Sequence, residues 1–295
     1  MSSHKGKKLK AGLQILISAG LLVFVFLNID LGQVKALAFH PQRAPLLVGA
    51  FIAFNASKMV GALRLNIYQR HAAIHLSERD NLRLYYAGMF LNVFLPGGIG
   101  GDAYKILVLH RSHTLPLRTV VTTTLADRAS GILALLFVLC MLLPMLALPW
   151  EAATATVFTL ASAAAVVAVF VFGHRWCTRL DMQGVAGVFA LGLAVQCLQL
   201  LCMGVLLLYV GAPARHYPAY LAVFLVSSVA ATLPLSIGGL GMREATFLFG
   251  VQMIRLDPTY GVIASSLFFL ITVLSSLIGA LFLTRFSLRS PATRC

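Results

Sequence analysis

Charge of either sign is scarce in this 295-residue chain: only 11% of its residues are Asp, Glu, Lys or Arg, where a soluble domain carries about a quarter. Acidic residues number nine. With 59% apolar residues, a single soluble core cannot hide the apolar surface, which excludes a soluble Rossmann or barrel enzyme and a coiled coil. Cysteine is equally uninformative as a scaffold. The chain has five, with Cys140, Cys197 and Cys202 inside apolar runs, Cys177 in a basic loop and Cys295 at the end. No CxxC occurs, so neither a disulfide framework nor a thiolate metal site is expected. HExxH-like and DxD-like strings are absent too, and no metal, cofactor or catalytic residue is expected.

What the sequence has is long apolar runs. A bilayer-spanning helix needs about 20 apolar residues, and windows of that kind place full spans at 11–28, 45–63, 119–145, 152–173, 185–210 and 259–283. The N-terminal run, Leu13 to Leu27, ends in Asn28-Ile29-Asp30 rather than a small-residue cleavage site, so it reads as an uncleaved first span. Two further apolar segments are interrupted. One, at about 82–110, breaks at LPGGIGGD (95–102); the other, at about 217–254, breaks at LPLSIGGLG (233–241). Pro and clustered Gly facing lipid would strand backbone polar groups, and such breaks survive only against protein or a wet cavity. Both segments are therefore expected to be re-entrant helical hairpins.

Charge supports that topology. With the N-terminus inside, sixteen of the 23 basic residues fall on cytoplasmic segments, against four (Lys35, Arg43, Arg215 and Arg255) outside. Lys58, Arg128 and Arg243 remain at membrane depth. Making the first hairpin a full span would invert every later loop and spoil this positive-inside bias. The net charge of +14 is thus loop charge on a polytopic protein rather than a nucleic-acid footprint. The expectation is an all-α polytopic membrane protein in a prokaryotic cytoplasmic (inner) membrane, with six full spans, two hairpins and both termini cytoplasmic.

The two broken segments also align. Leu95-Pro96-Gly97-Gly98-Ile99-Gly100-Gly101 lies over Leu233-Pro234-Leu235-Ser236-Ile237-Gly238-Gly239 at an offset of 138 residues, which sets Lys105 near Arg243. Each half, 1–148 and 149–295 of a single membrane domain, reads span, span, hairpin, span. The first starts inside and the second outside, so the halves are expected to be inverted repeats. Interrupted segments at matching positions in two halves point to a transport site.

The strings NVFLPGGIGGDAYKI (92–106) and LPLSIGGLGMREATF (233–247) resemble the paired signatures of the lysylphosphatidylglycerol synthase transmembrane region, a flippase-like family of integral membrane proteins. The resemblance covers nearly the whole chain in length and span order. It implies movement or handling of a lipid with an anionic or polar headgroup. No soluble synthase segment follows Cys295, so aminoacyl transfer is not implied. Lys105 stands where many relatives carry Arg, exchanging a fork for a point charge.

A half-helix starting near Asp102 would turn unpaired N–H groups and its dipole toward mid-membrane, a seat suited to phosphate. Gly97, Gly98, Gly100 and Gly101 would clear its approach, with Lys105 adding charge. Ser236, Gly238, Gly239 and Gly241 would form the mirror seat, with Arg243. The bland alternative is that these glycines let the hairpin tips pack tightly; both readings stand. Asp102, Asp127, Arg128, Arg243 and Glu244 sit near membrane depth, where charges pair or line water. Arg128 has two readings: a contact to lipid phosphate, or a pair with Asp102. Glu244 reads as a helix cap or a coupling proton carrier. Asn92 and Asn55 are expected to bond across helices. The tract 64–83 suggests a helix resting on anionic headgroups; its His71 and His75, at i,i+4, lack a third ligand.

Three functions fit: a flippase passing an anionic headgroup between the two hairpins, an enzyme acting on a lipid, or a membrane subunit assisting a lipid-modifying enzyme. The first is preferred, with a phospholipid or polyprenyl-phosphate lipid as partner. Gly101→Leu is expected to abolish lipid movement in reconstituted vesicles while leaving membrane insertion intact; undiminished movement by a well-expressed variant would count against the seat.

Overall fold

The structure is a computed structural model that describes Val23 and residues 41–95, 98–112, 115–146, 151–232 and 241–287. Apart from Val23, the expected first span, together with Gly97, Ser236, Gly238 and Gly239, lies outside the described residues. Among those described, the secondary structure is helical with no strand. Nine α-helices follow one another: α1 (Ala44–His71), α2 (Glu78–Phe94), α3 (Gly100–Ser112), α4 (Leu117–Leu142), α5 (Ala152–Thr178), α6 (Met182–Tyr209), α7 (Tyr217–Thr232), α8 (Met242–Met253) and α9 (Pro258–Ser287).

Five helical stretches are long and apolar enough to cross a membrane: Pro41–His71, Leu117–Met145, Ala152–Thr178, Met182–Tyr209 and Pro258–Leu283. They correspond to five of the six expected spans. The remaining helices are short, at 17, 13, 16 and 12 residues for α2, α3, α7 and α8. At 1.5 Å per residue they rise between about 18 and 26 Å, and none alone covers a hydrocarbon core of about 30 Å. They flank the two expected breaks.

Local chemistry explains where the helices begin and end. Ser77 precedes α2, and its Oγ accepts the Asp80 N–H at 3.1 Å, the bond that favours Ser at an N-cap. Asp257 caps α9 in the same way, its Oδ1 accepting the Thr259 N–H at 2.9 Å; Pro258 follows, at a position where its missing N–H costs nothing. At the other end of α6, Gly211 turns left-handed at φ 75° and its neighbour Ala212 donates to Leu207 O at 3.0 Å, a glycine C-terminal stop. Arg43 donates to Tyr209 O at 3.0 Å there.

The helix boundaries carry the 138-residue offset beyond the motifs. α1 and α6 are both 28 residues, and their starts, Ala44 and Met182, are 138 apart.

One expectation is corrected here. The tract 64–83 is not a separate surface helix. Its first eight residues continue α1 to His71, a turn through Ala73 at φ 58° reverses the chain, and α2 starts at Glu78. Burial decides this, because Arg64, Asn66 and Gln69 are all under 6% exposed and pack inside the protein. His75 lies in the turn, so His71 and His75 do not share a helix face.

The chain packs as two compact units with interleaved segments: Met1–Phe54, Met89–Gly101 and Leu200–Ser276 in one, and Asn55–Gly88, Asp102–Gln199 and Leu277–Cys295 in the other. The first has an aromatic core. Phe268 meets Phe54 and Phe224 edge to face, at 5.3 and 4.9 Å between centroids, arrangements that add to simple burial. The second joins Tyr68, Ala126, Phe170, Leu180, Val185 and Val188, with a smaller cluster of Ile74, Leu84, Leu109 and Val120 beside it.

In the first unit, a Cβ on Gly261 would stand 2.6 Å from Phe247 Cδ1 and 3.2 Å from Tyr220 Cδ1, both fully buried rings. Gly261→Ala is expected to destabilise the protein by about 1–3 kcal/mol through overpacking, read as a lower melting temperature in detergent; an unchanged melt would contradict this packing.

Candidate functional site

At the first break, α2 ends at Phe94, Gly98 adopts φ 60° and α3 begins at Gly100. Only Gly takes that left-handed φ without cost. The tip is closely packed at Gly100, where a Cβ would lie 2.7 Å from Leu95 Cδ1 and 3.1 Å from the carbonyl oxygen of Leu91, and open at Gly98, where a Cβ would meet nothing within 4 Å. Asn92, one turn before the break, accepts the Gly101 N–H on its Oδ1 at 2.7 Å. The amide bonds between helices, as expected of a buried Asn, and it does so by capping the first turn of α3. Gly101's N–H is therefore engaged within the protein, and the tight-packing reading of Gly100 has direct geometric support.

Asp102 opens the other unit. Its Oδ2 meets Arg128 Nη1 at 3.0 Å, and its Oδ1 meets Lys105 Nζ at 3.4 Å. Of the two readings for Arg128, the pair with Asp102 is present. Lys105 also lies over the Tyr85 ring, 4.8 Å from its centroid, a cation–π contact. Asp102 and Lys105 are buried, while the Arg128 side chain keeps 30% exposure. One carboxylate is thus shared by two cations, one of which reaches the surface of its unit.

Next to this cluster lies a pair the sequence did not reveal. Arg64 of α1 donates through Nε to Asp127 Oδ1 at 2.9 Å and through Nη2 to the Asp127 carbonyl at 3.0 Å. Both residues are under 9% exposed. Two glycines make room for the guanidinium: a Cβ on Gly131 would stand 3.2 Å from Nη1 and Nη2, and one on Gly192 would stand 3.7 Å from Nη1. In the sequence Arg64 opens the basic tract 64–83, which reads as an interfacial segment. A usable signal was the lone Asp127 inside an otherwise apolar span, which needs a cation from another helix.

Asn55 also fulfils the expected bridging role, its Oδ1 accepting the Tyr86 Oη–H at 2.8 Å.

The second break has a related design in the first unit. Gly241 stands before α8 at φ 80°, and its N–H donates to Glu244 Oε2 at 2.9 Å. Glu244 is therefore a cap, buried at 2% exposure, and its charge suits the positive end of a helix. Arg243 turns the other way. Its Nη1 donates to Ser228 Oγ at 3.0 Å, and its guanidinium lies 5.3 Å from the Phe224 ring and 5.0 Å from the Phe268 ring. Among the described residues, no carboxylate pairs with it within 4 Å. Nor do any three His, Cys, Asp or Glu side chains among them gather as metal ligands.

Long apolar helices, paired short helices at two glycine breaks and buried charge beside them define an all-helical integral membrane protein. The chain belongs to the family described as the lysylphosphatidylglycerol synthase TM region, whose model matches residues 12–279. No curated protein matches the chain.

The Arg64–Asp127 pair yields a prediction. Asp127→Leu alone leaves a buried guanidinium without its counter-charge and is expected to cost about 3–5 kcal/mol. The double variant Arg64→Met with Asp127→Leu removes both charges and is expected to recover most of that loss. Denaturant melts of the four proteins check this; a double variant as unstable as the sum of the singles would contradict it.

Proposed function

We propose that the protein is a lipid flippase or lipid-handling transporter of a prokaryotic cytoplasmic membrane, acting on a lipid with a phosphate-bearing headgroup. In this reading the α2–α3 and α7–α8 segments are re-entrant hairpins from opposite faces, the halves are inverted repeats, and both termini are cytoplasmic. The 138-residue repeat of helix boundaries supports the repeat, and the short helices on either side of each break support the hairpins.

The observation that carries the headgroup assignment is the cation balance at each break. Arg243 lies in an aromatic setting with no carboxylate partner among the described residues, and Glu244, its neighbour, is committed to the Gly241 amide. Asp102 is divided between Lys105 and Arg128. Two cations sharing one carboxylate at the first break, and a guanidinium held by a hydroxyl and two rings at the second, favour a negatively charged guest, and phosphate takes charge-assisted bonds from Arg and Lys. The glycine amides contribute less than the sequence suggested, since Gly101 and Gly241 already donate to Asn92 and Glu244. Each seat is therefore built mainly from side chains, Lys105 and Arg128 at the first break and Arg243 at the second, with the glycines shaping the turns.

A second reading follows from the family description, which names the membrane region of a lipid-modifying synthase: this chain assists a lipid-modifying enzyme without moving lipid itself. Reconstitution separates the two. Vesicles holding the purified protein and fluorescent phospholipid or polyprenyl-phosphate probes are expected to lose leaflet asymmetry faster than empty vesicles. Arg243→Gln and Arg128→Gln are each expected to slow this about tenfold or more, because a bond to a charged group is worth about 1.5–3 kcal/mol. No movement of any phosphate-bearing probe by the folded wild type would defeat the flippase reading and leave the assisting one.

A further inference from the structure

Another candidate surface is an apolar groove, whose lipid occupancy stands without the reading above while its resident role rests on that reading. Within one unit, α4 and α5 part to form a groove of about 320 Å³, running from Thr122 to Leu133 on one wall and from Val169 to Thr178 on the other. Small residues open it: Ala126 and Ala129 face Gly173 and Cys177, and nothing lies within 4 Å of where a Cβ on Gly173 would stand. His174 closes its floor, only 4% exposed and stacked on Phe170 at 4.1 Å. The groove is open along its length, with Leu125 55% and Val169 58% exposed.

Its two ends differ in charge. Arg118 is exposed and lies one helical turn before Thr122, on the same face of α4 by the 3.6-residue period. Exposed Arg179 follows Thr178 directly. Trp176, 85% exposed, lies three residues before Arg179 in the chain, and Trp with Arg marks the headgroup level of a bilayer. Asp181, the carboxylate near Arg179 in sequence, accepts the Gly184 N–H on its Oδ1 at 3.0 Å. Toward the other end, α4 carries no charged residue after Arg128 and α5 none before His174. From Thr122 to Leu133 the groove extends about 16 Å along the helix, the depth of one leaflet of a core about 30 Å thick. An apolar channel of leaflet depth with cations at its interfacial mouth is complementary to one amphiphile.

We propose that this groove holds one anionic phospholipid of the surrounding bilayer as a resident rather than a cargo, with an acyl chain between Ala129 and Gly173 and its phosphate at Arg118 and Arg179. The site would be filled at all stages of transport, sealing the α4–α5 seam in which the Arg64–Asp127 pair holds α4.

The test uses the full chain in bilayers of phosphatidylcholine and phosphatidylglycerol, extracted gently and weighed by native mass spectrometry. Wild type is expected to retain one phosphatidylglycerol with roughly tenfold preference over phosphatidylcholine, an effect of the size two interfacial arginines supply. Gly173→Leu puts a side chain into the groove where a Cβ meets nothing within 4 Å, and is expected to lose the retained lipid with its melting temperature in lipid-free detergent unchanged. Arg118→Gln with Arg179→Gln is expected to keep a lipid but lose the headgroup preference. Equal retention of both lipids by wild type, or undiminished retention by a folded Gly173→Leu, would overturn the proposal. Probe movement measured on Gly173→Leu decides the resident role: intact movement supports it, and movement lost together with the lipid overturns it.

Discussion

A charge placed inside hydrocarbon must find a counter-charge, a hydrogen-bond network or a guest, and that requirement organises the polar interior of this protein. Arg64 and Asp127 satisfy it between themselves, with two hydrogen bonds from one guanidinium and two glycines giving up side chains to admit it. Because these partners come from α1 and α4, the pair fixes the register of the two helices. Asp127's neighbour in sequence, Arg128, is thereby aimed at Asp102. The pairing that looks purely structural thus positions the cation that looks functional.

The same requirement distinguishes the two breaks in detail while leaving a common logic. Each returning helix has one first-turn N–H taken by a side chain of its own unit, Asn92 for α3 and Glu244 for α8. Once those donors are satisfied, what remains to attract a ligand is formal positive charge. At one break it is shared by two cations over a single aspartate. At the other it is a single arginine held by a serine hydroxyl and two aromatic faces, beside Glu244 but in no close ion pair among the described residues. A headgroup phosphate would find a localised and desolvated partner at either.

Much of the architecture was legible because membrane helices announce themselves by length and apolarity. Five spans coincide with helices, and both breaks interrupt helices where Pro and clustered Gly demand it. Glu244 as a cap and Arg128 with Asp102 were each one of two readings set by the cost of lone charge at depth, and both contacts are present. Two things were not legible. The continuation of α1 through Arg64 to His71 was hidden because a basic residue closing an apolar run usually marks the interface, and only its partner on α4 shows otherwise. The engagement of the Gly101 amide by Asn92 depends on a turn geometry that no periodicity encodes: Asn92 and Gly101 are nine residues apart, beyond any helical neighbour rule.

The most direct test of a phosphate guest at these cations is to image the protein in nanodiscs containing an anionic phospholipid, with and without Arg243→Gln. Phosphate density within hydrogen-bonding distance of Arg243, or of Lys105 and Arg128, that vanishes at Arg243 in the variant is the predicted result. Guanidinium groups at both breaks surrounded only by protein and water, in a map that resolves bound lipid elsewhere, would contradict it.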